Sequence, residues 1–124
     1  MALQTVREIT AALRNGIYDE KLSRIYGDGA SRSVGRLLAL VGGFCDFYGA
    51  GEDTQIALFS CPGRTELGGN HTDHQQGHSL AASVDLDTIA CASPNSSGVI
   101  RVKSQHHRIA EIDLHLFIDI YRSH

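Results

Sequence analysis

The stretch CPGRTELGGNHTDHQQGH, Cys61 to His78, holds Arg64, Glu66, His71, Asp73, His74 and His78 within eighteen residues that also include four glycines. Two chemistries fit so dense a set. His71-x-Asp73, joined by a remote histidine such as His106 or His107, is the skeleton of a two-histidine, one-carboxylate metal site; His74 and His78 lie four apart. That pair normally rides on a strand, where residues i and i+2 share a face. Gly68, Gly69 and Thr72 instead predict a loop or a helix start, so metal coordination is the weaker reading and no metal is expected. The stronger reading is a site for a sugar or an anion. Gly68-Gly69-Asn70 is pliant backbone followed by a capping residue, and amides at a helix start can face a ligand's oxygens. Asp73 and His71 can accept from and donate to hydroxyls, while Arg64 can neutralise a phosphate or steady a carboxylate base. Taken singly, Asn70, Thr72 and Asp73 are also ordinary helix caps. It is their density that favours binding.

Other reactive groups are poorer candidates. Cys61 before Pro62 has no evident oxyanion loop, and buried cysteine is more often structural. His106-His107 reads as a solvated strand end. Ser96-Ser97-Gly98 reads as a turn, without the lysine or following helix that a phosphate loop needs.

The elements that must position this stretch are legible on both sides of it. In TVREITAALRNG, Thr5 and Glu8 have capping-box spacing and Val6, Ile9 and Leu13 recur at helical period, with Asn15-Gly16 as the stop. A second helix begins near Asp19, carries Leu22, Ile25 and Tyr26 on one face, and ends at Gly27-Asp28-Gly29. A third is predicted from about Ser33 to Tyr48, with Val34, Leu37, Leu38, Val41, Phe44 and Phe47 as its apolar stripe. Gly35, Gly42 and Gly43 weaken it by up to roughly 1 kcal/mol each, which close packing against a neighbour would justify. From Thr54 the period changes to that of strands: QIALFS, then SLAASVDL, DTIACAS, VIRVKS after the Pro94–Gly98 turn, and RIAEIDL. The expected fold class is α+β: N-terminal helices followed by a mixed sheet of about five strands. Its segments would be a helical part over 1–53, a β-rich part over 54–114, and a tail over 115–124. HLFIDIYRSH is ambiguous between strand and helix, and a sheet left uncovered there gives the appearance of a fold incomplete at its C-terminus.

Composition narrows the function classes. With 11 Lys+Arg against 14 Asp+Glu, the net charge is -3, the wrong sign for a typical nucleic-acid-binding domain. No apolar run approaches the roughly 20 residues that span a bilayer, and MALQTVREITAALRNG lacks the pattern of a secretory signal. Cys45, Cys61 and Cys91 are odd in number and scattered, as reduced thiols are. A cytoplasmic location follows as an expectation, without nucleic-acid or membrane partners.

Pro62-Gly63-Arg64-x-x-Leu67-x-Gly69-x-His71-Thr72-Asp73, followed by Gly77 and by Ala82-x-x-Asp85, resembles the signature of the galactokinases, members of the GHMP family of small-molecule kinases. Their pattern is approximately P-G-R-V-N-L-I-G-E-H-T-D-Y-N-x-G. The likeness keeps order and spacing without a gap from Pro62 to Asp85, and is expected to extend from about 20 to 114. It implies the N-terminal lobe of a GHMP-type kinase and a reaction of ATP with galactose at the anomeric hydroxyl, with Mg2+. It also implies a role for each matching residue. Arg64 would stand beside the transferred phosphoryl group and lower the pKa of a catalytic aspartate. His71 and Asp73 would hydrogen-bond sugar hydroxyls, with Gly69 and Asn70 in the same substrate site. Such phosphoryl transfer works by positioning and charge neutralisation.

The sequence departs from the family pattern at several points. Asn70 stands where the family has a glutamate, which keeps a hydrogen bond to a hydroxyl but removes its charge assistance. Glu66, Gly68 and His74 replace asparagine, isoleucine and tyrosine. The family's serine-rich G-L-S-S-S-type phosphate loop and the aspartate base that follows it have no counterpart in these 124 residues. The resemblance therefore implies a chain that carries the sugar motif, is inactive alone, and leaves ATP and Mg2+ mainly to a missing C-terminal part. Two other readings compete: a non-catalytic sugar-binding or regulatory module, and a metal protein built on His71, Asp73 and His74 or His78.

Overall fold

The computed structural model describes residues 3–69 and 77–115. Residues up to Ser93 form one compact unit and those from Pro94 onward another, and each is described by itself.

In the first unit the chain enters through a two-residue strand, β1 (Gln4–Thr5), into α1 (Val6–Arg14). The predicted capping box is present. Thr5 Oγ1 accepts from the Glu8 amide at 3.2 Å, and the Thr5 amide donates to Glu8 Oε2 at 2.8 Å. Together these satisfy two donors that a helix start leaves open. α1 buries Val6, Ile9, Ala12 and Leu13. α2 (Asp19–Tyr26) buries Leu22, leaves Ile25 exposed, and passes through a 3-10 turn at Gly27–Gly29 into α3 (Ala30–Tyr48). The predicted third helix thus starts three residues early, because the Gly-Asp-Gly turn feeds it directly. Gly49, at a φ of 65°, closes it in the left-handed conformation that glycine adopts without cost.

Two details of α3 differ from the sequence reading. Leu37 and Val41 are buried with Ser33, and Val34, Leu38 and Phe44 pack against the core, but Phe47 is exposed and sets its ring edge-on to Tyr48. A Cβ on Gly35, Gly42 or Gly43 would meet nothing within 4 Å, so among the described residues no neighbour requires those glycines.

β2 (Gln55–Gly68) and β3 (Leu80–Ala92) form a long antiparallel hairpin, and β1 pairs with the start of β2 (Gln4↔Ile56). SLAASVDL and DTIACAS are therefore one strand, not two. Ile56 is fully buried and joins Val6, Ile9, Leu13, Leu22, Leu37 and Val41 in the core, with Leu58, Ile89 and Cys91 packed against it. Alternate residues of both strands thus face the helices, as the two-residue period requires.

The second unit is a hairpin of β4 (Val99–Val102) and β5 (Ala110–Asp113), in register Ile100↔Ile112 and Arg101↔Glu111. Its leading turn is fixed by Asn95, whose Oδ1 accepts from the Ser97 amide at 2.9 Å. The α+β class holds, with helices preceding strands. Among the described residues every pairing is antiparallel, because β2–β3 and β4–β5 are each joined as hairpins. The five strands fall into a group of three and a group of two, and one of them, β1, is too short to be read from a period. The ambiguous residues 116–124 lie outside the described chain.

Candidate functional site

The signature stretch is carried by the β2–β3 hairpin, with its first part on a strand. β2 continues through Pro62-Gly63-Arg64 to Gly68, so Arg64 is a strand residue, paired with Ser83. The ladder is regular from Ala57↔Ala92 to Pro62↔Asp87 and then shifts register, Val84 to Leu86 bulging opposite Gly63. Proline is tolerated in a strand at such a bulge. The glycine beside it has a steric reason: a Cβ on Gly63 would stand 3.0 Å from the Leu86 carbonyl oxygen and 3.1 Å from Val84 Cγ2. A second shift lies between Glu66 and Gly68. At the end of the strand Gly69 has a φ of 90°, and a Cβ there would run into the His78 carbonyl oxygen and Ser79 Cα. Gly63 and Gly69 of the signature therefore have local backbone reasons: one accommodates a bulge, the other turns the chain out of the ladder.

Arg64 is exposed and forms no ion pair with another described residue. Glu66, Leu67, Gly68 and Gly69 line a shallow open depression of about 230 Å³ at the far end of the hairpin. Asn70, His71, Asp73 and His74 lie outside the described residues. Of the other residues singled out in the sequence, Gly69 abuts the His78 backbone, whereas Arg64 pairs with Ser83 further back along the ladder. Among the described residues no group of three or more His, Cys, Asp or Glu side chains is placed to hold a metal ion. No helix among them is long and apolar enough to cross a membrane.

The most elaborate polar arrangement in the unit centres on Asp87, which the sequence reading did not single out. Its side chain is only 3% exposed. Oδ2 accepts from Tyr26 Oη at 2.5 Å and from Ser60 Oγ at 2.7 Å, and Tyr26 Oη also lies 3.0 Å from Ser60 Oγ. Oδ1 stands 2.8 Å from Arg36 Nη1 as an ion pair, though without hydrogen-bond alignment, and Arg36 Nη2 reaches the Asp87 carbonyl oxygen at 3.4 Å. Burial pushes the carboxyl pKa upward. The hydrogen bonds from Ser60 and Tyr26, with the Arg36 guanidinium paired beside it, outweigh that and hold it at about 2. Tyr26 moves the other way, raised by burial and then by the adjacent carboxylate. The signal in the sequence was a carboxylate at the same parity as Ile89 and Cys91, which pack against the core. Beside this network Tyr26, Asp28, Gly29, Arg32 and Asp85 border a second open, polar depression of about 460 Å³.

Comparison with known proteins bears on the same segment. Residues 43–94 match the family model for the galactokinase galactose-binding signature. The chain is 34% identical over 62 residues to a galactokinase of Bacillus subtilis (strain 168), a match taking in 50% of this chain and 16% of that protein. It is 36% identical over 74 residues to a galactokinase of Streptococcus suis (strain 05ZYH33), covering 57% of this chain and 18% of that one. The matched region is thus less than a fifth of the length of these curated relatives. No solved structure gives a significant match. The matched residues take in the end of α3 and the β2–β3 hairpin, so the likeness to the galactokinase galactose-binding signature falls on the segment whose geometry is described above.

Proposed function

We propose that the β2–β3 hairpin is the sugar-binding element of a galactokinase-like kinase, which phosphorylates galactose or a related sugar at the anomeric hydroxyl using ATP. The observation that carries this reading is the gapless likeness to the signature from Pro62 to Asp85, on a hairpin whose bulge and exit from the ladder account for Gly63 and Gly69. Arg64 is the catalytic contribution: a fixed positive charge for the transferred phosphoryl group and for the aspartate base. Asn70, His71 and Asp73 hold sugar hydroxyls, with Gly69 giving the backbone room to turn toward them. Asn70 binds as a neutral amide where the family pattern has a carboxylate, which weakens the hold on its hydroxyl and is the first place to look for altered sugar preference.

Nucleotide and Mg2+ belong elsewhere in this reading. The described residues fit neither: they offer no serine-rich loop ahead of a helix, and no cluster of metal donors. Both are assigned to the larger part of the relatives that this chain does not match.

The test is a galactose titration of the 124-residue chain followed by backbone amide shifts. Saturable shifts confined to residues 64–78 are expected, and their loss in Arg64→Ala, His71→Ala and Asp73→Ala. Shifts identical in all three variants would remove these residues from the site. Phosphoryl transfer is expected to be absent from the chain alone, so turnover in a coupled assay would overturn the division of labour.

A further inference from the structure

We infer that Asp87 is a positioning residue for the motif-bearing arm of the hairpin, clamping α2 and α3 to the ladder at its last regular pair and so setting where Arg64 and the strand residues beyond it stand. Three observations carry this. The first is place: Asp87 sits opposite Pro62, and the register shift that leads to Arg64 begins immediately beyond it. The second is connectivity. One carboxylate gathers Tyr26 from α2, Arg36 from α3 and Ser60 from β2 while itself on β3, so four elements share one fixed point. The third is what lies on either side. Toward Ile56 the hairpin is held by the apolar core, but beyond Asp87 no described residue of either strand is buried. No fully buried apolar side chain among the described residues fixes the direction of the arm there. A directional polar contact takes over, and its geometry is specified by hydrogen bonds in a way that an apolar contact is not.

The inference deepens the sugar-site reading and rests on it only for its ligand readout. The experiment compares wild type, Asp87→Asn and Tyr26→Phe by amide spectra, thermal midpoint and galactose titration. Asp87→Asn keeps the shape and loses the charge that Arg36 faces; Tyr26→Phe keeps the ring and removes one donor. The expected result is displaced or broadened amides at Arg64–Gly68 and Leu80–Ser83, with Ile9 and Leu13 unmoved. Galactose affinity should fall roughly tenfold in Asp87→Asn and less in Tyr26→Phe. A lowered midpoint with the arm amides in place and affinity intact would make Asp87 merely structural and overturn the proposal. If Asp87→Asn does not fold, the same readouts on Tyr26→Phe decide. If wild type binds no galactose, the sugar reading falls, while the arm amides still decide for or against Asp87.

Discussion

The two halves of the β2–β3 hairpin are built on different principles. From Ala57 to Ser60, paired with Ile89 to Ala92, and at Ile56 just before them, the strands lie against a core shared with three helices. From Arg64 to Gly68, paired with Leu80 to Ser83, the strands leave that core and carry exposed side chains, Leu67 at 63% and Leu80 at 64% among them. Asp87 and the bulge at Gly63 mark the boundary. The contrast shows how one continuous pair of strands can be scaffold at one end and a presenting surface at the other. Burial supplies the free energy near the helices, and backbone exceptions supply the shape beyond them.

The comparison is most easily broken at its scaffold end. Ile56 is the one large side chain among the described residues with no exposure at all. Ile56→Ala is expected to cost about 2–5 kcal/mol, the range for a large aliphatic removed from a core. Leu67→Ala, equally apolar but on the far arm, should change stability by less than about 0.5 kcal/mol. Paired denaturant titrations measure both, and comparable losses would mean that the arm is covered as well as the core.

The arm should yield to backbone changes rather than to side-chain deletion. Gly69→Ala forces a Cβ onto the His78 carbonyl at a positive φ, a strain of about 1–3 kcal/mol. Because the turn is remote from the core, that cost should appear as faster amide exchange around His78–Leu80. The global midpoint should barely move. A midpoint loss as large as that of Ile56→Ala would refute the division between the two ends.

The boundary itself should titrate. Asp87 has a folded pKa of about 2, below its ordinary 3.8. A group depressed on folding stabilises the native state above its unfolded pKa, and that stabilisation fades as pH falls toward the folded value. Since the Arg36 side chain is partly exposed and its charge is screened by solvent, the contribution is on the order of 1–2 kcal/mol. It should be fully present above about pH 5 and disappear between about pH 4 and pH 2. In Asp87→Asn this component of the acid dependence should vanish. An unchanged acid limb would show that the carboxylate contributes nothing through its charge.

What the sequence disclosed follows the same boundary. Where side chains repeat at a helical or strand period and enter the core, the elements were legible: the Thr5–Glu8 box, the three helices, the first strand from Gln55. Where the structure depends on pairing across distance, it was not. β1 exists only because Gln4 and Thr5 meet Ile56 and Gln55. Asp87 stood at the break between two predicted runs, and its contacts with Tyr26, Ser60 and Arg36 let one strand pass through it. Phe47 fitted the stripe of α3 by spacing but is exposed, with its ring edge-on to Tyr48. The signature residues were recognisable by type and order, whereas the reason for Gly63, a bulge in the opposite strand, resides in residues twenty positions later.

The smallest effect expected concerns the thiols, and it reports on the same two regions without perturbing them. Cys61 lies on the exposed part of β2, whereas Cys45 and Cys91 are partly buried against the core. Burial pushes the Cys91 thiol up to about 11, with the nearby Cys45 adding to it, and burial followed by the Asp46 charge raises Cys45. Thiolate is the reacting form, so both core thiols are slowed twice, by cover and by protonation. Alkylation at about pH 8, near the ordinary thiol pKa, should therefore label Cys61 first and leave the other two until the chain is denatured. Adding Ile56→Ala should bring Cys45 and Cys91 forward, because loosening the core exposes them, while the rate at Cys61 stays as it was. Equal labelling of all three in the native protein would mean that the core end of the hairpin opens as readily as the arm, and the distinction between scaffold and presenting surface would fail.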